Sequence, residues 1–168
     1  TLEYAINYEK ELKSHGRYVH MIWPPHCLIG SEGNAIMPSF YEAITEWTGF
    51  RAGRMVNVVS KGSNFLTEHY SAVQADVPMA SDPSTQLNIG LINLLKNSDR
   101  IYLAGEALDY CLANTVRDIA NNFGEENIKK LILLTDCSSE VGVPAGLSQD
   151  FLDEMTKRGM QTSKSTDI

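Results

Sequence analysis

Hydrophobic positions along the chain switch between a helical period and unbroken apolar runs. Tyr4, Ile6, Tyr8 and Leu12 lie among charges in Leu2–Ser14, a loosely amphipathic helix stopped by His15-Gly16. Arg17–Trp23 reads as a short strand ended by Pro24-Pro25, because proline donates nothing to a ladder. A glycine-punctuated loop, Pro24–Asn34, leads to a helical pattern over Ala35–Trp47, then a β-branched strand, Met55–Val59. Asn64–Pro83 is mostly loop. Ser84 or Thr85 is the expected cap of a helix striped by Leu87, Leu91, Leu94 and Leu95.

The second half is more regular. Arg100–Ala104 is a compact strand, Gly105–Tyr110 a turn, and Cys111–Phe123 a helix with Leu112, Val116 and Ile119 inward. Lys130–Thr135 is the most apolar strand, Ser148 the expected cap of a helix running through Lys157, and Gly159–Ser163 a short edge strand. Strands that are apolar on both faces and alternate with helices belong to a parallel sheet flanked by helices on both faces. The expectation is one α/β domain over residues 1–168, without repeats or a linker.

Composition narrows the chemistry. Of 168 residues, 43% are hydrophobic and 21% charged, and the formal charge of −7 with no basic run argues against nucleic acid. No apolar stretch is long enough to span a bilayer, so no membrane partner is expected. Cys27, Cys111 and Cys137 are few and odd in number, without CxxC spacing. They read as reduced thiols of a cytoplasmic protein rather than a disulfide framework or a four-cysteine zinc site.

Ligands of an open parallel sheet bind at the carboxyl ends of its strands. The polar residues that follow the expected strands are His26-Cys27, Lys61, the turn ending in Cys111, and Asp136-Cys137. Cys111 opens a helix, where unpaired N–H groups favour thiolate over thiol. Lys61, before a glycine at the same rim, is a cation able to hold that thiolate and to offset developing negative charge. A lone histidine such as His26 is not a metal site. Cys27 reads as packing, His15 and His20 as structural, and Asp136 as a loop anchor. Gly30-Ser31-Glu32-Gly33 lacks the lysine and spacing of a phosphate loop.

Three stretches carry a family resemblance. Trp23-Pro24-Pro25-His26-Cys27-Leu28-Ile29-Gly30-Ser31-Glu32-Gly33 resembles the WPxHCxxGSxG signature of nicotinamidases, within the isochorismatase-like cysteine hydrolases. Lys61-Gly62 followed by Tyr70-Ser71-Ala72 resembles the KG…YSAF segment. Gly105–Leu112 with Thr115 and Asp118 resembles the GxAxDYCVxxTxxD nucleophile segment, and Leu134-Thr135-Asp136 with Val141 the later strand and turn. The matches run in order from about Trp23 to Val141.

The resemblance implies a Rossmann-like three-layer fold, a nucleophile at Cys111 and a catalytic lysine at Lys61. It implies an oxyanion hole from the amides of Ala107 and Cys111 behind a cis Glu106–Ala107 bond. His26 becomes one ligand of a divalent metal, commonly zinc. The implied reaction is hydrolysis of nicotinamide to nicotinate and ammonia through a thioester on Cys111. Members of the family frequently self-associate, so a homo-oligomer is expected.

Two departures matter. No DxQxDF-like segment, which carries the family's acid, and no DxH pair, which carries further metal ligands, precedes His26. With Thr1 first and a helix from residue 2, the expectation is the C-terminal bulk of a longer protein, its first strand lost or supplied as a separate N-terminal fragment. A divergent member lacking both groups is the other explanation. Glu106 stands where the family has an apolar residue, which leaves open another small amide or carbamoyl substrate, and the missing aspartate leaves open a non-catalytic relative that only binds ligand.

Overall fold

The structure, a computed structural model, describes residues 1–49, 53 and 55–168. They divide into two compact units, Thr1–Arg17 with Ser60–Ile168, and Tyr18–Val59.

The larger unit is built on a parallel sheet. Strands β1 (Ile101–Leu103), β2 (Leu131–Leu134) and β3 (Gln161–Ser163) lie in the order β1-β2-β3, with Ile101 opposite Leu131 and Ile132 opposite Gln161. A parallel neighbour requires a crossover, and here each crossover carries a helix. These are α4 (Ala113–Phe123) between β1 and β2, and α5 (Leu147–Lys157) between β2 and β3. Val116, Ile119, Ala120 and Phe123 recur at helical spacing and bury one side of α4. They pack with Ile101, Leu103, Leu131 and Leu133 of one sheet face, with Phe151 and Met155 of α5, and with Ile92 of α3 (Ile89–Lys96). This is the expected α/β class with a parallel sheet. Among the described residues, no helix is long and apolar enough to cross a membrane.

Helix α1 (Leu2–Ser14) forms as expected and buries Tyr8 and Leu12. Tyr8 accepts the Glu68 N–H at 2.7 Å through its hydroxyl, and the Tyr4 hydroxyl donates to the Leu66 carbonyl. The irregular 64–88 segment is thereby tied to α1.

Several expected boundaries move. Arg17–Trp23 and Met55–Val59 form no strand. Ile22 and Met55 are 92% and 88% exposed, and Arg17 instead donates its N–H to Leu12 O at 2.9 Å, finishing α1. β-Branched composition expresses a fit to a half-buried pleated surface, and without a ladder partner it does not make a strand. In the smaller unit the helix is α2 (Pro38–Gly49) rather than Ala35–Trp47, with proline at its first position, where a missing N–H costs nothing. Asn88, not Ser84 or Thr85, caps α3, accepting the Leu91 N–H at 2.9 Å. Asp82 takes Ser84 into a separate 3-10 turn, Pro83–Thr85. α5 starts at Leu147 behind Gly146 at φ +96°, which places Ser148 inside the helix.

Phe151 of α5 lies in the buried core cluster that α4 and the sheet share, with no exposed surface. Its truncation to alanine is expected to cost about 3–5 kcal/mol, seen as a lower urea midpoint with an unchanged slope. A loss under about 1 kcal/mol would show that the site collapses around the gap.

Candidate active site

Between β1 and α4 the chain makes a wide turn rather than entering the helix at Cys111. Gly105 sits at φ +130°, a region that favours glycine, and the Glu106–Ala107 bond is cis, as the resemblance implies. Leu108–Leu112 is a π turn, so Cys111 lies within it and α4 proper begins two residues later.

This turn is fastened to the segment after β2. Gly105 N donates to Cys137 O at 3.1 Å and Leu108 N to Ser139 O at 2.7 Å. The Asp109 carboxylate, wholly buried, accepts from the amides of Val141 and Gly142 at 3.0 and 2.8 Å. The Tyr110 hydroxyl donates to Val143 O. Glu106 accepts from the Ser139 hydroxyl at 2.8 and 2.9 Å and from its amide at 3.2 Å, so its carboxylate is committed to that segment.

Lys61 also reaches this turn. Its ammonium donates to Cys111 Sγ at 3.5 Å and to His69 O at 2.9 Å. The cation and the half-buried thiol, fifty residues apart, are thus in contact. Asp136 accepts from the amide and hydroxyl of Ser165 at 2.8 and 2.7 Å, which holds its carboxyl below the ordinary range and makes it the loop anchor expected. Cys137, half-buried, donates its thiol to Asp136 at 3.7 Å.

His26 belongs to the smaller unit. Its Nδ1 lies 2.7 Å from Pro24 O. A carbonyl only accepts, so Nδ1 is the donor in this contact and Nε2 is the nitrogen left for a metal. Among the described residues, however, no three His, Cys, Asp or Glu side chains are placed to hold an ion together. By themselves they do not fit a divalent metal. Cys27, read as packing, is instead exposed, with φ +48°.

Solved structures share this architecture. A nicotinamidase/pyrazinamidase of Acinetobacter baumanii matches with a TM-score of 0.61 and 20% identity, over 88% of this chain and 61% of that one. PnC1 of L. infantum, in complex with nicotinate, matches with a TM-score of 0.58 and 25% identity, over 95% and 67%. A pyrazinamidase of Pyrococcus horikoshii, in complex with zinc, matches with a TM-score of 0.54 and 19% identity, over 94% and 81%. The chain has the nicotinamidase fold. No protein-family model and no curated protein sequence matches it.

Within this nicotinamidase fold, two motif residues have architectural roles. Thr115 donates to Cys111 O at 2.6 Å and accepts the Ala72 N–H at 3.0 Å, joining the turn to the loop that follows Lys61. Asp118 takes Arg17 Nη2 at 2.9 and 3.1 Å and Gln74 Nε2 at 3.0 Å. Beside it Asp76, 2% exposed, accepts the Tyr70 N–H at 3.1 Å through Oδ2. Its Oδ1 has no hydrogen-bond partner and lies 3.7 Å from Arg17 Nε. Burial raises the Asp76 carboxyl from 3.8 to about 6, against the pull of the Tyr70 amide and Arg17.

A carboxyl raised on folding favours the folded state below its unfolded value, and that contribution is lost as pH rises through 6. Asp76→Asn removes the titration. Relative to wild type, the variant is expected to gain about 2–3 kcal/mol between acid and neutral pH. Urea melts across that range measure the difference, and a pH-independent one excludes titration of Asp76.

Proposed function

We propose that the chain carries the nucleophile and its cation for a cysteine amidohydrolase, acting most directly on nicotinamide. The observation that carries this reading is the Lys61 ammonium 3.5 Å from Cys111 Sγ, on a turn hydrogen-bonded to the segment after β2 and, through Thr115, to Ala72. An adjacent cation favours the thiolate, and a pinned turn fixes where it points.

In this reading Sγ of Cys111 adds to the amide carbonyl, and the backbone amides of Ala107 and Cys111 receive the oxyanion. The C–N bond then breaks, the nitrogen leaves as ammonia after taking a proton, and a thioester remains. Water adds to the thioester carbonyl, the C–S bond breaks, and the acid product leaves with the thiol restored. The proton donor for ammonia, an aspartate in the family, is not assigned to any described residue. Self-association and a cytoplasmic setting belong to the same proposal.

Nicotinate on the L. infantum relative supports a pyridine carboxamide as substrate. The zinc of the Pyrococcus structure supports His26 as this chain's contribution to a divalent-metal site. No step is routed through that ion. With Glu106 held by Ser139, its departure from the family pattern acts on the 139–142 segment.

Ammonia release from nicotinamide by the purified protein tests the reading. Cys111→Ala is expected to abolish it, and Lys61→Met to lower kcat/KM by about a hundredfold or more. Unchanged turnover in Cys111→Ala removes the nucleophile assignment, and a greater kcat/KM for another small amide reassigns the substrate.

A further inference from the structure

The pattern of strands and motifs passes over His69, yet the structure sets it beside the Lys61–Cys111 pair. Lysine has a flexible stem and a strongly hydrated head, so contact with a sulfur needs something to hold the ammonium there. Two groups of His69 contact Lys61 and the residue after it. The main-chain carbonyl of His69 accepts from the ammonium at 2.9 Å. Its imidazole Nδ1 accepts the N–H of Gly62, the residue after Lys61, at 3.3 Å. Gly62 lies at φ +76°, so the chain turns sharply here and the bond closes that turn.

The backbone of His69 is itself anchored. The next amide, of Tyr70, is held by buried Asp76, and the Tyr70 ring lies 5.3 Å from that of Tyr110, the residue before Cys111. The imidazole adds a second contact from a residue whose neighbouring backbone is already anchored. Burial and the Lys61 charge hold His69 below the ordinary histidine range, against Asp118 and Asp82, so Nδ1 stays an acceptor.

We propose that the His69 side chain is a positioning residue for the Lys61–Cys111 pair, keeping the Lys61-Gly62 turn closed so that the ammonium stays on the sulfur. The inference rests on Lys61 being the cation that activates Cys111.

The test is alkylation of Cys111 by iodoacetamide at neutral pH in a Cys27→Ser, Cys137→Ser background. His69→Phe keeps a ring and removes the acceptor, and is expected to slow alkylation by about tenfold. His69→Asn places an oxygen near the Nδ1 position and restores the rate to within about twofold. In a Lys61→Met background His69→Phe adds nothing further, because the two act as one unit. Equal rates in the parent and His69→Phe overturn the proposal, as does failure of His69→Asn to rescue a folded protein. Should His69→Phe not fold, imidazole nitrogen shifts of the parent protein decide. An unprotonated Nδ1 supports the role, and a proton on it overturns it. Alkylation needs no amide turnover, so a protein inactive on nicotinamide still answers the question.

Discussion

Asp76 is the constraint on which the candidate site depends. A carboxylate at 2% exposure is tolerated only where charge and hydrogen bonds answer it, and here the answer is partial. Oδ2 holds the Tyr70 amide, while Oδ1 has only the more distant charge of Arg17, itself committed to Asp118 on α4. Through these groups the end of α1, the loop after Lys61 and the helix after Cys111 share one buried polar network. Losing a member strands another charge out of water, which costs more than the pair contributes.

The turn of Cys111 is held on the other side by different chemistry. Asp109 and Glu106 spend their carboxylates on amides and a hydroxyl of residues 139–142, so the backbone behind the thiol is clamped by hydrogen bonds as well as by the packing of Tyr110 and Leu112. Thr115 links the two sides, taking Cys111 O and the Ala72 amide on one hydroxyl. Among the described residues the Lys61 ammonium contacts the sulfur, and it also donates to the His69 carbonyl. In the proposed reaction, a thiol on a fastened turn with a cation beside it is the arrangement acyl transfer needs before any substrate arrives.

Much of this was legible in advance, and unevenly. β1 and β2 were readable because a run that is apolar on both faces and too short for a helix has few other places to go. α1, α4 and α5 followed from their periodic apolar positions. Cys111 and Lys61 stood out as reactive residue types at strand ends within recognisable spacings. Arg17–Trp23 and Met55–Val59 misled because β-branched composition says nothing about whether a ladder partner is present. The caps slipped for a related reason. Ser84, Thr85 and Asn88 are all competent, and only the path of the chain decides which oxygen meets a free amide.

The sequence by itself therefore determined the parallel α/β class, the stripe that α4 buries, and the chemical identity of the thiol and its candidate cation. All of these follow from short-range periodicity and side-chain type. Only the tertiary structure decided that Lys61 meets Cys111 across fifty residues, that Glu106 turns to Ser139, and that His69 meets Lys61 and Gly62. Those are contacts made through main-chain groups and ring nitrogens of residues distant along the chain. No pattern in composition or spacing encodes a backbone carbonyl's direction; the folded loop does.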